Sequence, residues 1–314
     1  MADTFTPVQG FLAGFYRAVG LTIGAATVFQ PLTNRTFETG DLTGWTDDCA
    51  GGASSATVTA NKGWEERSYG VVLSDDGTNL AGISQVVTLD TALTAGQAAY
   101  MRVHAAIWAE FDAVSDEATL KVECLDAVDA SLGNATVTMI SAHPIYDDGT
   151  GKDTWGYFSV AMDAITDTKK IKISIYSNAI AAQVLNIDNA TLVVLEQVAG
   201  AFGPMGVPEG FELKDSTTFA TAGTAGFRSF LPVLKKVGEM SLPSFWVSAE
   251  NLATQMGDGT RIFCVLWTQK ATKTSDRFEF WCFMHGIEWS AAPGEIQQSS
   301  MTITVDGAIG FADR

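Results

Sequence analysis

Residues 33 to 196 differ in texture from the rest of the chain, and the change occurs twice. The segment opens on Asn34-Arg35-Thr36-Phe37-Glu38-Thr39-Gly40-Asp41-Leu42-Thr43-Gly44-Trp45 and closes on Leu185-Asn186-Ile187-Asp188-Asn189-Ala190-Thr191-Leu192-Val193-Val194. Between these ends it reads as one self-contained acidic β-domain. The flanks, 1–32 and 197–314, read as two pieces of a second domain. A chain of 314 residues is long enough for two cores. The break therefore predicts a domain inserted into a loop of another, with assembly and outside contact divided between them.

Inside both parts the pattern is that of strands. Runs rich in Val, Ile, Thr and aromatics, such as Gly70–Leu73, Ile83–Leu89, Tyr100–Ala109, Thr119–Cys124, Tyr157–Met162 and Ala190–Leu195, are bounded by turn clusters such as Ser74-Asp75-Asp76-Gly77-Thr78-Asn79. Lys170-Ile171-Lys172-Ile173-Ser174-Ile175-Tyr176 alternates cleanly, isoleucines to one face and polar groups to the other. Such short, evenly spaced runs predict a β-sandwich or jelly roll for 33–196. In the C-terminal flank Arg261–Trp267 and Phe278–His285 predict a hairpin, and Met301, Ile303 and Val305 alternate with Thr302, Thr304 and Asp306. One short helix is expected, from Ser248 to Met256, with Ser248 placed to cap its first turn. In the N-terminal flank, two strands joined near Val19-Gly20 are expected.

Charge is unevenly shared. The whole chain carries −17, while 33–196 holds 9 Lys+Arg against 23 Asp+Glu. So acidic a surface repels phosphate backbones and disfavours sequence-specific nucleic-acid binding. Three histidines leave little material for acid–base work near neutrality. Cys49, Cys124, Cys264 and Cys282 are widely spaced, which argues against a zinc site and a disulfide framework and for reduced thiols. Nothing positive precedes Arg17, so no signal peptide is expected. The stretch Gly10–Leu32 holds a single charge, Arg17, but its four glycines and its threonines favour strands over a membrane span.

The opening Asn34…Phe37-Glu38-Thr39-Gly40…Gly44-Trp45 and the closing Asn186-Ile187-Asp188-Asn189-Ala190-Thr191-Leu192 resemble the galactose-binding-like jelly rolls found among carbohydrate-binding modules. The resemblance implies that first and last strands lie close, with Glu38 and Asp188 holding a structural calcium. Other oxygens would complete its shell of six to eight. The plainer reading makes both solvated carboxylates. The resemblance further implies glycan recognition by aromatic platforms, for which Trp64, Tyr69, Trp108, Tyr146 and Trp155 are the candidates. For any single one of them, core or rim packing outweighs ligand binding as the reading. Trp45, following the Gly44 turn, is assigned to the core.

The flanks resemble the tail tube proteins of long-tailed bacteriophages. The resemblance is carried by Val198-Ala199-Gly200 through Phe219, then Phe227-Arg228-Ser229-Phe230-Leu231-Pro232-Val233-Leu234-Lys235-Lys236-Val237-Gly238-Glu239-Met240-Ser241, and the closing Ser300–Phe311. Asp306 stands where such proteins usually place Thr before Gly307. The resemblance implies a tail-tube β-sandwich or barrel, homo-hexameric rings stacked into a tube, and a lumen that conducts genomic DNA without sequence-specific contacts. It also implies partners among other tail proteins, assembly in the host cytoplasm and residence in the virion tail. Glu239, Ser241, Thr302, Thr304 and Asp306 are the candidate lumen positions, or else face outer solvent. Arg228, Lys235 and Lys236 are read as a loop touching the adjacent ring.

No Gly-x-Ser-x-Gly elbow, His-Glu-x-x-His, phosphate loop or dinucleotide fingerprint occurs. The pairs Asp47-Asp48, Asp75-Asp76 and Asp147-Asp148 fall in turns, where Asp is favoured for backbone reasons. The sequence thus predicts a mainly β, non-enzymatic structural protein: a major tail tube subunit decorated by an inserted jelly roll that touches host-surface glycans and requires no cofactor. The competing reading is a carbohydrate-binding or adhesion protein outside any tube.

Overall fold

Ile171, Ile173 and Ile175 are fully buried while Lys170, Lys172, Ser174 and Tyr176 between them stay partly open. That two-residue period is what makes this chain a stack of sheets. The computed structural model describes residues 14–64, 68–112, 116–140, 155–178, 182–200, 209–215, 230–237, 239–245, 261–267, 277–290 and 298–312. It is mainly β, with several antiparallel sheets. Two compact units are present: Tyr16–Gln197 with Phe311–Asp313, and Met1–Phe15 with Val198–Gly310 and Arg314.

The larger unit begins with β1 (Gly14–Ala18, shared across its boundary), β2 (Leu21–Ile23), β3 (Ala26–Val28), β4 (Thr46–Asp47), β5 (Ser55–Ala60), β6 (Tyr69–Ser74) and β7 (Gly82–Thr88). It continues through a one-turn helix α1 (Ala95–Ala98), β8 (Met101–Phe111), β9 (Glu117–Leu125), β10 (Ser131–Ile140), β11 (Gly156–Asp163), β12 (Lys170–Ser177) and β13 (Val184–Gly200). Strands β11, β8, β13, β6 and β5 pair in that order; β10, β9, β12, β7 and β4 form the other sheet. One hydrophobic core draws on both sheets, among them Leu73, Ile107, Ile187, Ile83, Leu120 and Ile173. This is a jelly-roll-type sandwich, its two inner faces built by alternation. Trp45 is buried against Phe37, ring centroids 5.4 Å apart, and donates its indole N–H to the Asn34 carbonyl.

The two strands expected in the N-terminal flank are β1 and β2, joined at Val19-Gly20; β2 then turns into β3 at Gly24-Ala25, where both residues have positive φ (57° and 63°). Two successive left-handed residues match the twist of a tight hairpin, which Ala rarely supplies. Leu21 and Leu32 are buried in the same core as Phe37 and Ile83, so the larger unit starts at Tyr16 and not after residue 32. Burial of those two leucines sets the boundary where composition alone sees none. The one-turn helix α1 is closed by a capping box between Thr94 and Gln97; the helix expected over 248–256 lies outside the described residues.

The smaller unit contains β14 (Glu209–Asp215), β15 (Phe230–Val237), β16 (Glu239–Phe245), β17 (Arg261–Trp267), β18 (Arg277–Ser290) and β19 (Gln298–Ala312). Strands β17, β18, β19 and β16 lie in that order, and β14 pairs with β15. The segment read as a Lys-bearing loop is therefore strand: Phe211 pairs with Lys235 and Gly210 with Lys236. Pro232 falls beside the register shift in that ladder, and Pro243 sits in the edge strand β16, places where a missing N–H is tolerated. Arg228 lies outside the described residues. Cys264 and Cys282 are fully buried thiols that share a hydrogen bond at 3.3 Å between sulfurs and form no disulfide. Among the described residues no helix is long and apolar enough to cross a membrane.

Candidate functional site

Strand β8 breaks the sandwich pattern. Val103, Ala105, Ile107 and Ala109 face the core, yet the alternate positions Arg102, His104, Ala106, Trp108 and Glu110 are buried as well. The outer face of this sheet is therefore covered, and aromatic side chains account for part of the cover. Ala106, Trp108, Trp155 and Tyr157 form a second apolar cluster with Trp64 packed on it. Trp64 stacks on Trp108, with ring centroids 3.7 Å apart and planes at 22°. Trp155 meets Trp64 edge-on at 6.1 Å, and Tyr157, the register partner of Trp108, tilts against it at 5.0 Å.

The loop after β5 delivers Trp64. Asp188, opposite Trp108 on β13, is 4% exposed and accepts the Trp64 backbone N–H at 2.8 Å through Oδ2. Its Oδ1 accepts the N–H of Asn189, a residue held at φ 52° in a register shift of β13. Bulges of this kind re-aim one side chain. Gly63 is needed where the loop closes: a Cβ there would sit 1.9 Å from Ser68 Oγ, 2.6 Å from the Tyr69 carbonyl and 2.9 Å from Asp188 Oδ2.

Of the five aromatic candidates, the fold brings Trp64, Trp108 and Trp155 together. Trp108 at 4% and Trp155 at 9% exposure support the cluster from beneath, and Trp64 is the partly open member. Tyr69 does not join them; it shares the strand parity of Val71 and Leu73, which face the core, and its ring lies against Gly40. Tyr146 lies outside the described residues. Tyr157 escaped the sequence reading because it resembles any other strand aromatic until the β8–β11 register is known.

Glu38 and Asp188 act through the backbone. Glu38 Oε1 accepts the Tyr69 N–H at 3.2 Å, while Asp188 has a backbone donor on each oxygen. Calcium needs free lone pairs on several oxygens. Among the described residues no three His, Cys, Asp or Glu side chains converge to hold a metal.

One row along the sheet lies a buried polar pair missed by sequence reasoning. Asn186 and Glu110 are register partners, each 5% exposed, and Asn186 Nδ2 donates to Glu110 Oε2 at 2.6 Å. Among the described residues neither Glu110 Oε1 nor Asn186 Oδ1 has a hydrogen-bond partner. Buried acceptors without donors are costly, which makes this face chemically unfinished. The Cys49 thiol, by contrast, is pushed up to about 11 by burial and the Asp47 hydrogen bond, so it is inert at neutral pH.

In the smaller unit the candidate channel positions fall in one register block: Glu239 pairs with Thr304 and Ser241 with Thr302. Asp306 lies two residues beyond Thr304, and its carboxylate is ion-paired to Arg261 at 2.7 Å. Arg261 in turn sits 4.9 Å over the Trp281 ring. That position therefore carries a neutralised pair, not a lone acid.

No protein-family model matches this chain, and no curated protein matches it. Solved structures resembling part of it include the enzymatically active domain of a tailspike protein from bacteriophage CBA120, at 12% identity over 52% of this chain, with a TM-score of 0.41. The chain spans only 21% of that protein's length. The xylan-binding domain of carbohydrate-binding module family 22 from Paenibacillus barcinonensis matches at 15% identity, covering 52% of this chain and 94% of its own, with a TM-score of 0.36. The tail of an empty GTA particle refined with C6 symmetry matches at 16% identity, covering 38% of this chain and 86% of its own, with a TM-score of 0.31. All three scores lie below 0.5, so these likenesses carry no functional weight, and the site must speak through its own geometry.

Proposed function

We propose that the larger unit is a glycan-binding decoration domain, carried by a smaller unit that serves as a major tail tube subunit. The observation that carries the first half is the convergence of Trp64, Trp108, Trp155 and Tyr157 beside the Glu110–Asn186 pair on one sheet face. The partly open Trp64 ring, backed by the buried Trp108, Trp155 and Tyr157, offers an apolar face of the kind a pyranose stacks on. Nothing in this chemistry requires a reacting group, and the domain binds without turning over its ligand.

The second half is supported by the smaller unit's antiparallel ladders and by the register that groups Glu239, Ser241, Thr302 and Thr304. An acidic or neutral lining would let DNA pass without phosphate contacts. Lys235 and Lys236 on β15 would then meet an acidic neighbouring ring. Joining strands between subunits would also satisfy the exposed edge of β16.

Electron microscopy of the purified full-length chain tests the assembly. Stacked sixfold rings around a central hole, with density projecting outward, are expected. A protein that stays monomeric by light scattering at micrograph concentrations would overturn the tube reading. A glycan array tests the decoration domain separately, with Trp64→Ala as the variant that should lose signal.

A further inference from the structure

Strand β10 ends its sheet. It pairs with β9 and, among the described residues, with no strand on its other side. A strand in that place turns every second N–H and C=O outward, which invites pairing with another chain. Two other edge strands show how this chain blunts such sites: β4 is two residues long, and β16 carries Glu239 and Pro243. β10 has neither protection. Its ten residues hold no charge and no proline, within a segment, 33–196, that holds 9 Lys+Arg and 23 Asp+Glu. Its register with β9 runs unbroken from Gly133 to Ile140, the one shift lying before Gly133. Asn134, Thr136, Thr138 and Ile140 are exposed, while Met139 is core and Ala135 and Val137 pack against that core.

We infer that β10 is a docking edge for β10 of a second copy of this chain, the two strands pairing antiparallel about a two-fold axis at Val137. That axis sets Thr136 opposite the second copy's Thr138, Ala135 opposite its Met139 and Asn134 opposite its Ile140. Inward residues then meet inward residues and outward meet outward, a match that a slip by one residue would destroy. Small Ala135 faces large Met139, and Thr opposite Thr is a favourable cross-strand pair. One patch serves both copies, as an isologous contact requires. Charge favours the same occupant. Two acidic units repel each other, and along a neutral strand their backbones can meet without setting carboxylate against carboxylate. A basic segment would find no carboxylate on β10 to pair with. An edge ladder buries little surface, so the association is weak and depends on concentration.

Amide hydrogen exchange of the full-length protein, read by mass spectrometry on peptides covering 131–140, tests the contact. The outward amides should exchange at least about tenfold more slowly at about 100 µM than at about 1 µM. Thr136→Lys combined with Thr138→Lys sets like charges opposite each other across the axis and should keep those amides fast at both concentrations. Thr136→Lys combined with Thr138→Glu sets opposite charges there and should restore most of the protection. Both positions are exposed, so these variants fold, and unchanged exchange in the central strand β12 checks it. Outward amides that exchange fast in the wild type at every concentration would overturn the inference. So would protection that persists in the Thr136→Lys/Thr138→Lys variant, because a segment of the same chain would then cover the strand. Loss in that variant without recovery in Thr136→Lys/Thr138→Glu would overturn the axis at Val137, and with it the second β10 as occupant.

Discussion

The indole of Trp64 covers the face of Trp108 at 3.7 Å, much as a sugar ring would cover an open platform. The two residues consequently have different jobs. Trp108 is 4% exposed and braced by Tyr157, whereas Trp64 is partly open. Trp108→Ala should cost about 3–5 kcal/mol by urea denaturation, the range for emptying a buried aromatic site. Trp64→Ala should cost clearly less, about 1–2 kcal/mol, because less surface leaves water on folding. Equal losses would mean the pair is core alone.

Gly63 holds the loop that presents Trp64. Its hypothetical Cβ meets Ser68 Oγ at 1.9 Å, which a rotamer change could relieve, but also the Tyr69 carbonyl at 2.6 Å, which is backbone. Gly63→Ala should therefore displace the loop, lower stability by about 1–3 kcal/mol and weaken the Trp64–Asp188 contact. Near-ultraviolet circular dichroism of the tryptophans reports the displacement; an unchanged spectrum and melting midpoint would show the loop to be compliant.

Much of the sandwich is legible in the sequence because β12 and β19 keep a strict period of two, with Ile171, Ile173 and Ile175, or Ile303 and Val305, on the buried side. The site is less legible. Arg102, His104 and Glu110 alternate along β8 as solvent-facing residues would, and only the tertiary fold reveals that their side is buried too. Glu110 and Asn186 stand 76 residues apart and become partners through register, a quantity with no local signal. Asp188 was visible as a notable carboxylate, but one of its two backbone donors, Trp64, comes from the distant loop after β5. The turn at Gly24-Ala25 was hidden because Ala is a poor witness to positive φ.

That hairpin turn makes stability depend on acid. Asp90 accepts the Ala25 N–H at 2.7 Å and the Gly24 N–H at 2.8 Å, and these bonds hold its carboxyl below the usual range. Asp76, held first by Asn79 and then by the backbone amides of Asn79, Ala53 and Thr78, is depressed much further. A carboxylate with a depressed folded value contributes its full stability above its unfolded value of about 3.9 and loses it as pH falls toward the folded value. The melting midpoint should therefore hold near neutrality and drop below about pH 4. Asp76→Asn and Asp90→Asn should each flatten the low-pH limb. A limb unchanged in the double variant would assign acid sensitivity to other carboxylates.

The Glu38–Asp188 pair separates a metal cage from a backbone clamp. Asp188 Oδ2 and Oδ1 take the Trp64 and Asn189 amides, and Glu38 Oε1 takes that of Tyr69. A clamp of this kind contributes in the absence of any cation. Asp188→Ala should leave two backbone donors without their carboxylate, costing about 1–3 kcal/mol for each that stays buried. Asp188→Asn should recover part of that loss by keeping one carbonyl oxygen. In the wild type a chelator should move the melting midpoint by less than about 1 °C, because a ligand that does not bind cannot stabilise by mass action. A midpoint that falls in chelator and returns with added calcium, but not in Glu38→Ala, would make the two carboxylates cation ligands and the clamp geometry a state they leave on binding.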